Sequence, residues 1–439
     1  MLTWDHGTWV VEPADPAIAE RLPCVMWDPR TRCHRAPAWR YGELSALLGC
    51  AGVDTSAEPR PGPELRSYQQ RALDAWVDAG RRGVVVLPTG GGKTRTAVAA
   101  ITRSGLSALC VVPTRVLIEP WRRALLDGGV PSVGQLADGV KDVQRVTVAT
   151  SAAARIHGPR LGARFALLVV DEAHHHAGRD ETLELYAAPY RLGLTATPPE
   201  DPDRVDRLAQ LVGHVVARVT VDELAGTWLA PYELVRRGVD LPPEEARAYA
   251  ADVATFRAAY RSWWASAPER SWSSFVRDAG RTAQGREAMA AWRRSRQRVA
   301  WFTTKDDVLA ELLAERARDR VLVFTRDNAV AYAIARRHLI APLTCDIGRA
   351  ERDAVLARFA SGEIRALVSA RVLNEGVDVP AAQVAVLTGG SQGGREYIQR
   401  IGRVLRPHEG KKALVVELVA RGTHEVDQVE RHRRKLAAG

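Results

Sequence analysis

"GVVVLPTGGGKT", Gly83 to Thr94, runs from a β-branched apolar stretch into three consecutive glycines, a lysine and a threonine, and then into a helical pattern. A strand feeding a glycine-rich turn that opens a helix is the setting a phosphate-binding loop needs. Glycines at 90, 91 and 92 let backbone N–H groups approach phosphate oxygens, and the helix N-terminus behind them adds partial positive charge. In that loop Thr89 and the three glycines line the phosphates, Lys93 reaches the β and γ phosphates, and the Thr94 hydroxyl ligates Mg²⁺. The pattern G-x-x-x-x-G-K-[ST] departs at one place, where Leu87 stands for the first glycine. ATP and Mg²⁺ are the expected cofactors.

A magnesium-dependent phosphate loop needs an acid at the end of a neighbouring strand, because Mg²⁺ keeps several waters and takes few protein oxygens. "FALLVVDEAHHHAGRD", Phe165 to Asp180, supplies one. Asp171 is expected to orient the metal, Glu172 to act as general base on the attacking water, and His174 to contact the γ-phosphate region. His175 has no derivable role and His176 reads as a loop residue. Two acids beside three histidines could instead be a metal cluster. Consecutive histidines project in different directions, however, and no Cys/His set elsewhere has ligand spacing.

The phosphate loop belongs to one of two alternating series. "GVVVLP", "ALCVVP", "RVTVATS", "FALLVVDE" and "RLGLTAT" are continuous apolar strands separated by helical patterns, and "RVLVFTR", "IRALVSA", "VAVLTGG" and "KALVVELV" repeat the arrangement after residue 302. Such runs predict parallel sheets covered on both faces. Before the first series lies a small α+β segment ending near residue 60 in the linker "DTSAEPRPGPELR". Between the series lies a helical insert without strand pattern. The expected division is therefore 1–60, 61–232, 233–302 and 303–439.

Composition narrows the partners. The 439 residues carry a formal net charge of +10, which points to a polyanion, nucleic acid first. Eleven arginines face six acids between Leu241 and Trp301, with tryptophans at 263, 264, 272, 292 and 301. Those tryptophans either stack on bases or form the core of the insert. Five cysteines, none at CxxC spacing, argue against a disulfide framework. Neither a signal peptide nor an apolar run of roughly 20 residues is seen, so a cytoplasmic protein without a membrane partner is expected.

In "REYIQRIGRVLRP", Arg400, Arg403 and Arg406 recur every three residues along one helical face. They serve either as arginine fingers on the transferring phosphoryl group or as a nucleic-acid face.

The ordered set "YQ", "PTGGGKT", "VVPTR", "VATS", "DEAH", "LTAT", "VFTR", "VLNEGVDVP" and "QRIGRVLR" resembles superfamily 2 helicases and translocases, and most of all the XPB-type family in its short archaeal and bacterial form. The resemblance implies two RecA-like parallel-sheet domains, a damage-recognition-like N-terminal domain through roughly Leu48, and a thumb-like insert. It implies that Gln69 reads adenine, that Gly376 and Asp378 touch the nucleotide from the second domain, and that Arg400, Arg403 and Arg406 complete the site. Thr114, Arg115, Thr150, Thr325 and Arg326 fall in motifs that contact the sugar-phosphate backbone, and Thr195 and Thr197 in the motif that couples the two sites. The implied activity is ATP-dependent 3′ to 5′ DNA unwinding or translocation in repair. Forked, damaged or duplex DNA is the implied partner, the chain acting as a monomer or in a hetero-complex, with a nuclease as possible partner. The family's Arg-Glu-Asp element has "PPEDPDR" here, where Glu200 and Asp201 lack the arginine before them. That departure leaves open a duplex translocase or clamp that does not separate strands, beside an RNA-directed helicase.

Overall fold

Apolar runs become parallel strands wherever a helix can carry the chain back over the sheet, and the computed structural model of the chain follows this rule twice. It describes residues 1–12, 22, 24–49, 51–178, 180–267, 271–370, 382–389, 397 and 413–438. Two compact units divide after Leu224.

The first unit begins with a small antiparallel sheet of β1 (Leu2–Asp5), β2 (Thr8–Val11), β3 (Met26–Asp28) and β4 (Cys33–Pro37) in the order β1-β2-β4-β3. The helix Tyr41–Leu48 follows. This module is joined to the helix Ser151–Leu161 through Trp4, whose indole N–H donates to the Pro159 carbonyl at 3.1 Å. Read from sequence as a linker, the segment after it is an ordered strap. Glu58 and Arg60 donate backbone N–H bonds to Gly105 and Thr102 at 2.9 and 2.8 Å. A side chain on Gly105, whose φ is +65°, would run into the Glu58 backbone.

The large sheet contains β5 (Arg82–Val86), β6 (Ala108–Val112), β7 (Val133–Ala137), β8 (Val140–Asp142), β9 (Val146–Thr150), β10 (Leu167–Asp171), β11 (Tyr190–Thr195) and β12 (Val215–Arg218). Their order is β12-β5-β11-β10-β6-β9-β7-β8, parallel except for β8. β6, β9 and β10 are buried along their whole lengths, as strands covered on both faces must be. Arg191 in β11 is wholly buried. Its guanidinium donates to the carbonyls of Ala188, Leu183, Leu211 and Tyr186, so it ties the segment 183–188 to the end of the helix Pro202–Leu211.

The second unit repeats the design with β13 (Tyr232–Val239), β14 (Val321–Phe324), β15 (Ala341–Leu343), β16 (Ala366–Ser369), β17 (Val384–Leu387) and β18 (Ala413–Ala420). The order is β13-β18-β17-β14-β16-β15, all parallel. All of β13 but its first residue lies inside the stretch 233–302 read as insert, yet the strand pairs along its whole length with β18 and is an edge strand of this sheet. The insert proper has three helices rather than two, Pro243–Ser266, Trp272–Ala279 and Ala283–Ala300. The short middle one starts where the Ser271 hydroxyl caps the Ser274 N–H, a signal hidden inside a polar stretch. Asp252, buried between the long helices, takes Arg294 and Arg298 at 2.9 and 3.1 Å. Trp263, Tyr260, Phe256 and Trp272 pack around buried Phe275, so the aromatic residues are chiefly the insert's own core. Trp264 and Trp272 keep an exposed edge.

Candidate active site

The phosphate loop follows β5 at the carboxyl edge of the first sheet, the edge at which open α/β folds bind ligands. Leu87, which replaces a glycine of the usual pattern, is buried, and its N–H donates to the Thr195 carbonyl at 3.0 Å, extending the β5 to β11 pairing by one residue. Gly90 and Gly92 hold φ of +84° and +77°, conformations that glycine alone adopts without strain. Lys93 and Thr94 then open the helix Lys93–Ser104. Thr89, Lys93 and Thr94 are half-buried and Gly90 is exposed, so the loop presents its face to solvent.

Two side chains hold the loop from behind. Gln69 Nε2 and Tyr68 Oη both donate to the Gly91 carbonyl at 3.0 Å, and Gln69 Oε1 accepts the Arg66 backbone N–H at 3.0 Å. Gln69, expected to read adenine, is buried and occupied by the loop backbone. The role of Tyr68 was not read from sequence. The signal was the adjacent "YQ" before a glycine loop.

At the end of β10 the Asp171 carboxylate lies beside Glu172. Burial first, and the neighbouring Glu172 charge second, push the Asp171 carboxyl up to about 6. Trp121, on the helix Ile118–Asp127, donates its indole N–H to Asp171 Oδ2 at 3.1 Å, while Oδ1 accepts the Glu172 N–H at 3.0 Å. Sequence reasoning missed Trp121. Its only signal was a tryptophan on the buried face of an amphipathic helix, whose N–H must find an acceptor. Glu172 adopts a left-handed backbone at φ +47°, uncommon for a non-glycine residue. Its Oε1 accepts a 2.8 Å bond from Lys93 Nζ, joining phosphate loop and acid pair directly.

The three histidines go to three different places. Buried His174 sets Nδ1 2.9 Å from Thr195 Oγ1, which also accepts the Thr197 N–H at 3.1 Å. A polar chain therefore runs from Glu172, 3.5 Å from His174, through Thr195 to Thr197. Exposed His175 lies tilted at 39° against His174 with centroids 4.3 Å apart. His176, read as a loop residue, is instead buried, 3.4 Å from Ser151 Oγ and 2.8 Å from Asp180 Oδ2. The bond to His176 is the first cause holding the Asp180 carboxyl well below its usual range.

Residues of the expected nucleic-acid track are spread over both units. Arg115 is exposed and pairs with Asp138 at 3.0 Å, and half-buried Thr114 precedes it. Thr150 caps the helix Ser151–Leu161 by accepting the Ala153 N–H at 3.3 Å. In the second unit Thr325 is wholly buried and its hydroxyl donates to the Asp327 carbonyl at 3.0 Å, which leaves Arg326 as the accessible member of that motif. Gly376, Asp378, Arg400, Arg403 and Arg406 lie outside the described residues.

A phosphate loop and an acid pair at the carboxyl edge of one parallel sheet, with a second parallel sheet following in the same chain, define the two-RecA-domain core of superfamily 2 helicases. Comparison with known proteins agrees. A family model described as the type III restriction enzyme res subunit matches residues 62–200, the helicase conserved C-terminal domain matches 304–408, and the Xeroderma pigmentosum group B helicase damage recognition domain matches 2–56. The chain is 33% identical over 429 residues to a protein of Sulfurisphaera tokodaii named DNA 3'-5' translocase XPB2, covering 94% of this chain and 96% of that one. It is 28% identical over 452 residues to a protein of Mycobacterium tuberculosis named DNA 3'-5' helicase XPB, covering 96% and 74%. The helicase domain of Hef from Pyrococcus furiosus shares the fold at 20% identity and a TM-score of 0.55, over 84% of this chain and 98% of that one. The chain belongs to the XPB helicase family.

Proposed function

We propose that the chain is an ATP-dependent DNA helicase or translocase moving 3′ to 5′ on forked, damaged or duplex DNA during repair. The observation that carries this reading is the run of polar side chains Lys93, Glu172, His174, Thr195 and Thr197, hydrogen-bonded at every step but Glu172 to His174, where the two lie 3.5 Å apart; it leads from the phosphate loop to the motif assigned to coupling. ATP enters with its β and γ phosphates against Gly90, Gly91, Gly92 and Lys93. Lys93 then exchanges Glu172 for phosphate, freeing that carboxylate to take a proton from the attacking water. The acid pair, buried Asp171 and half-buried Glu172, whose described cation is Lys93 alone, fits a divalent ion; Asp171 and Thr94 would hold Mg²⁺, which would supply positive charge to the phosphates. Gly376, Asp378, Arg400, Arg403 and Arg406, outside the described residues, are carried from the family resemblance as the second domain's nucleotide contacts. Thr114, Arg115, Thr150 and Arg326 follow the backbone, a mode of contact that carries no base information and suits movement along DNA.

Division of labour follows the segments, with 1–60 testing the DNA for damage and the insert guiding the strand. Among the described residues no helix is long and apolar enough to cross a membrane. The basic, DNA-directed surface fits a cytoplasmic protein acting alone or in a hetero-complex, with a nuclease as the partner a repair role calls for.

One observation favours translocation without strand separation. Asp201, in the "PPEDPDR" stretch, is engaged as the cap of the helix Pro202–Leu211, accepting the Arg204 N–H at 3.1 Å. The Sulfurisphaera relative is itself named a translocase. ATP hydrolysis measured with forked DNA, duplex, single-stranded DNA and single-stranded RNA, beside strand displacement on the fork, separates the readings. Stimulation by DNA and displacement of the fork strand is the expected result. Stimulation by duplex without displacement leaves the translocase, and stimulation by RNA alone overturns the proposal.

A further inference from the structure

Because β14, β17 and β18 are parallel, the residues that follow them meet at one edge of the second sheet. Arg326 comes two residues after β14, Thr388 directly after β17, and His424 four residues after β18, where it opens the helix His424–Ala438. The insert reaches the same edge. Tyr249 Oη accepts the His424 backbone N–H at 3.0 Å, and the two rings stack 6.3 Å apart at 27°. Arg296, on the third insert helix, lies half-buried against the Trp292 ring at 5.2 Å. Arg431 is two turns beyond His424 on the same helical face. Beneath them the edge is locked, since buried Lys305 Nζ bonds the Thr388 carbonyl and Glu425 Oε2, both at 2.8 Å.

The charges of this cluster are unbalanced. Burial lowers the Arg296 pKa first; Tyr249 and Glu425 oppose that shift, while the nearby charges of Arg326 and Arg431 add to it. His424 is pushed down to about 3, by burial first and then by Arg296, Lys305, Arg326 and Arg431, so it is neutral. Glu425 is the carboxylate in reach, and Lys305 already occupies it. Among the described residues no carboxylate lies within 4.0 Å of Arg296, Arg326 or Arg431. Three guanidiniums from three elements, Arg296 and Arg326 half-buried and Arg431 exposed, suit an anion with several acceptor oxygens, since the arginine fork matches phosphate geometry.

We infer that Arg296, Arg326 and Arg431, with Tyr249 and His424, form a clamp for a phosphate of the nucleic-acid backbone. The insert and the C-terminal helix thereby grip the strand together with the Arg326 motif. The inference rests on the DNA-directed reading above and adds Arg296, Arg431 and the His424–Tyr249 pair to the track.

The test is equilibrium binding of the full chain to forked DNA between 50 and 200 mM salt. Each phosphate contact contributes about 0.9 to the slope of log affinity against log salt. Arg296→Gln and Arg431→Gln should each lower the slope by about 1, so that the deficit in affinity shrinks about 3.5-fold over that range. Arg296→Lys, which keeps the charge, should keep the wild-type slope. Unchanged slopes in both glutamine variants overturn the clamp, and so does a lysine variant as impaired as the glutamine one, since the defect is then one of packing. Stabilisation of the wild type by inorganic phosphate, absent in Arg296→Gln and accompanied by unchanged DNA slopes, assigns the cluster to free phosphate and overturns the backbone role. Wild type that hydrolyses ATP in response to DNA while the variants keep their slopes removes this inference alone; wild type indifferent to DNA removes the function reading and the clamp with it.

Discussion

Lys93 bonds Glu172 at 2.8 Å in the first unit, and Lys305 bonds Glu425 at the same 2.8 Å in the second. Distance does not tell them apart; surroundings do. Lys305 is fully buried, and its three N–H donors go to Glu425 and to the carbonyls of Val299 and Thr388. Glu425 in turn accepts the Ala420 N–H at 2.9 Å. Lys93 and Glu172 keep 13% and 15% of their side-chain surface open, on a solvent-facing loop. A pair with every proton satisfied and no access to solvent is a staple between elements. One left partly open at a phosphate loop is a resting contact that an incoming phosphate can replace.

The comparison breaks first at the staple. Lys305→Met leaves the Glu425 carboxylate buried without its cation, and such a loss costs about 3–5 kcal/mol. Denaturant unfolding should show it, and Lys305→Met with Glu425→Leu should recover most of the loss, because replacing both members of a buried pair is close to neutral. A drop below about 1 kcal/mol for the single variant would mean that the two pairs are not different in kind. Burial lowers the Lys305 pKa and raises that of Glu425, and each charge opposes the other's shift, so removing one partner leaves the other's burial uncompensated.

A smaller effect sharpens the other side. Trp121→Phe removes the donor to Asp171 Oδ2 while keeping the helix packed. A hydrogen bond to a charged group is worth about 1.5–3 kcal/mol. The Asp171 carboxyl, already up to about 6, rises further because the indole N–H favours its charged form. The titration of the Asp171 carboxyl, followed in the protein without Mg²⁺, should therefore move to higher pH. An unmoved titration would mean that Trp121 is packing alone.

Legibility in the sequence followed the range of the interactions. "GVVVLPTGGGKT" and "FALLVVDEAH" declare strand, loop and acids within a dozen residues, because local periodicity and glycine placement carry that information. The Leu87 departure made sense only once its N–H was seen on Thr195, which joins β11. Trp121 and Asp171 are 50 residues apart, and Lys305 and Glu425 are 120 apart, so neither pairing leaves a local pattern. Arg191 sits in an apolar strand run, and its four carbonyl partners, in the segment 183–188 and at the end of the helix Pro202–Leu211, form no pattern with it along the chain. His176 was misread for the same reason, its burial being set by Ser151 and Asp180 rather than by its neighbours.

The most direct test of the resting-contact idea is Glu172→Gln, which keeps a bond to Lys93 possible while removing the base. DNA-stimulated ATP hydrolysis should fall by about 10²- to 10⁴-fold, the usual contribution of a general base, with nucleotide binding and unfolding midpoint preserved. Hydrolysis within a few-fold of wild type would contradict the assignment of Glu172 and of the open pair as machinery.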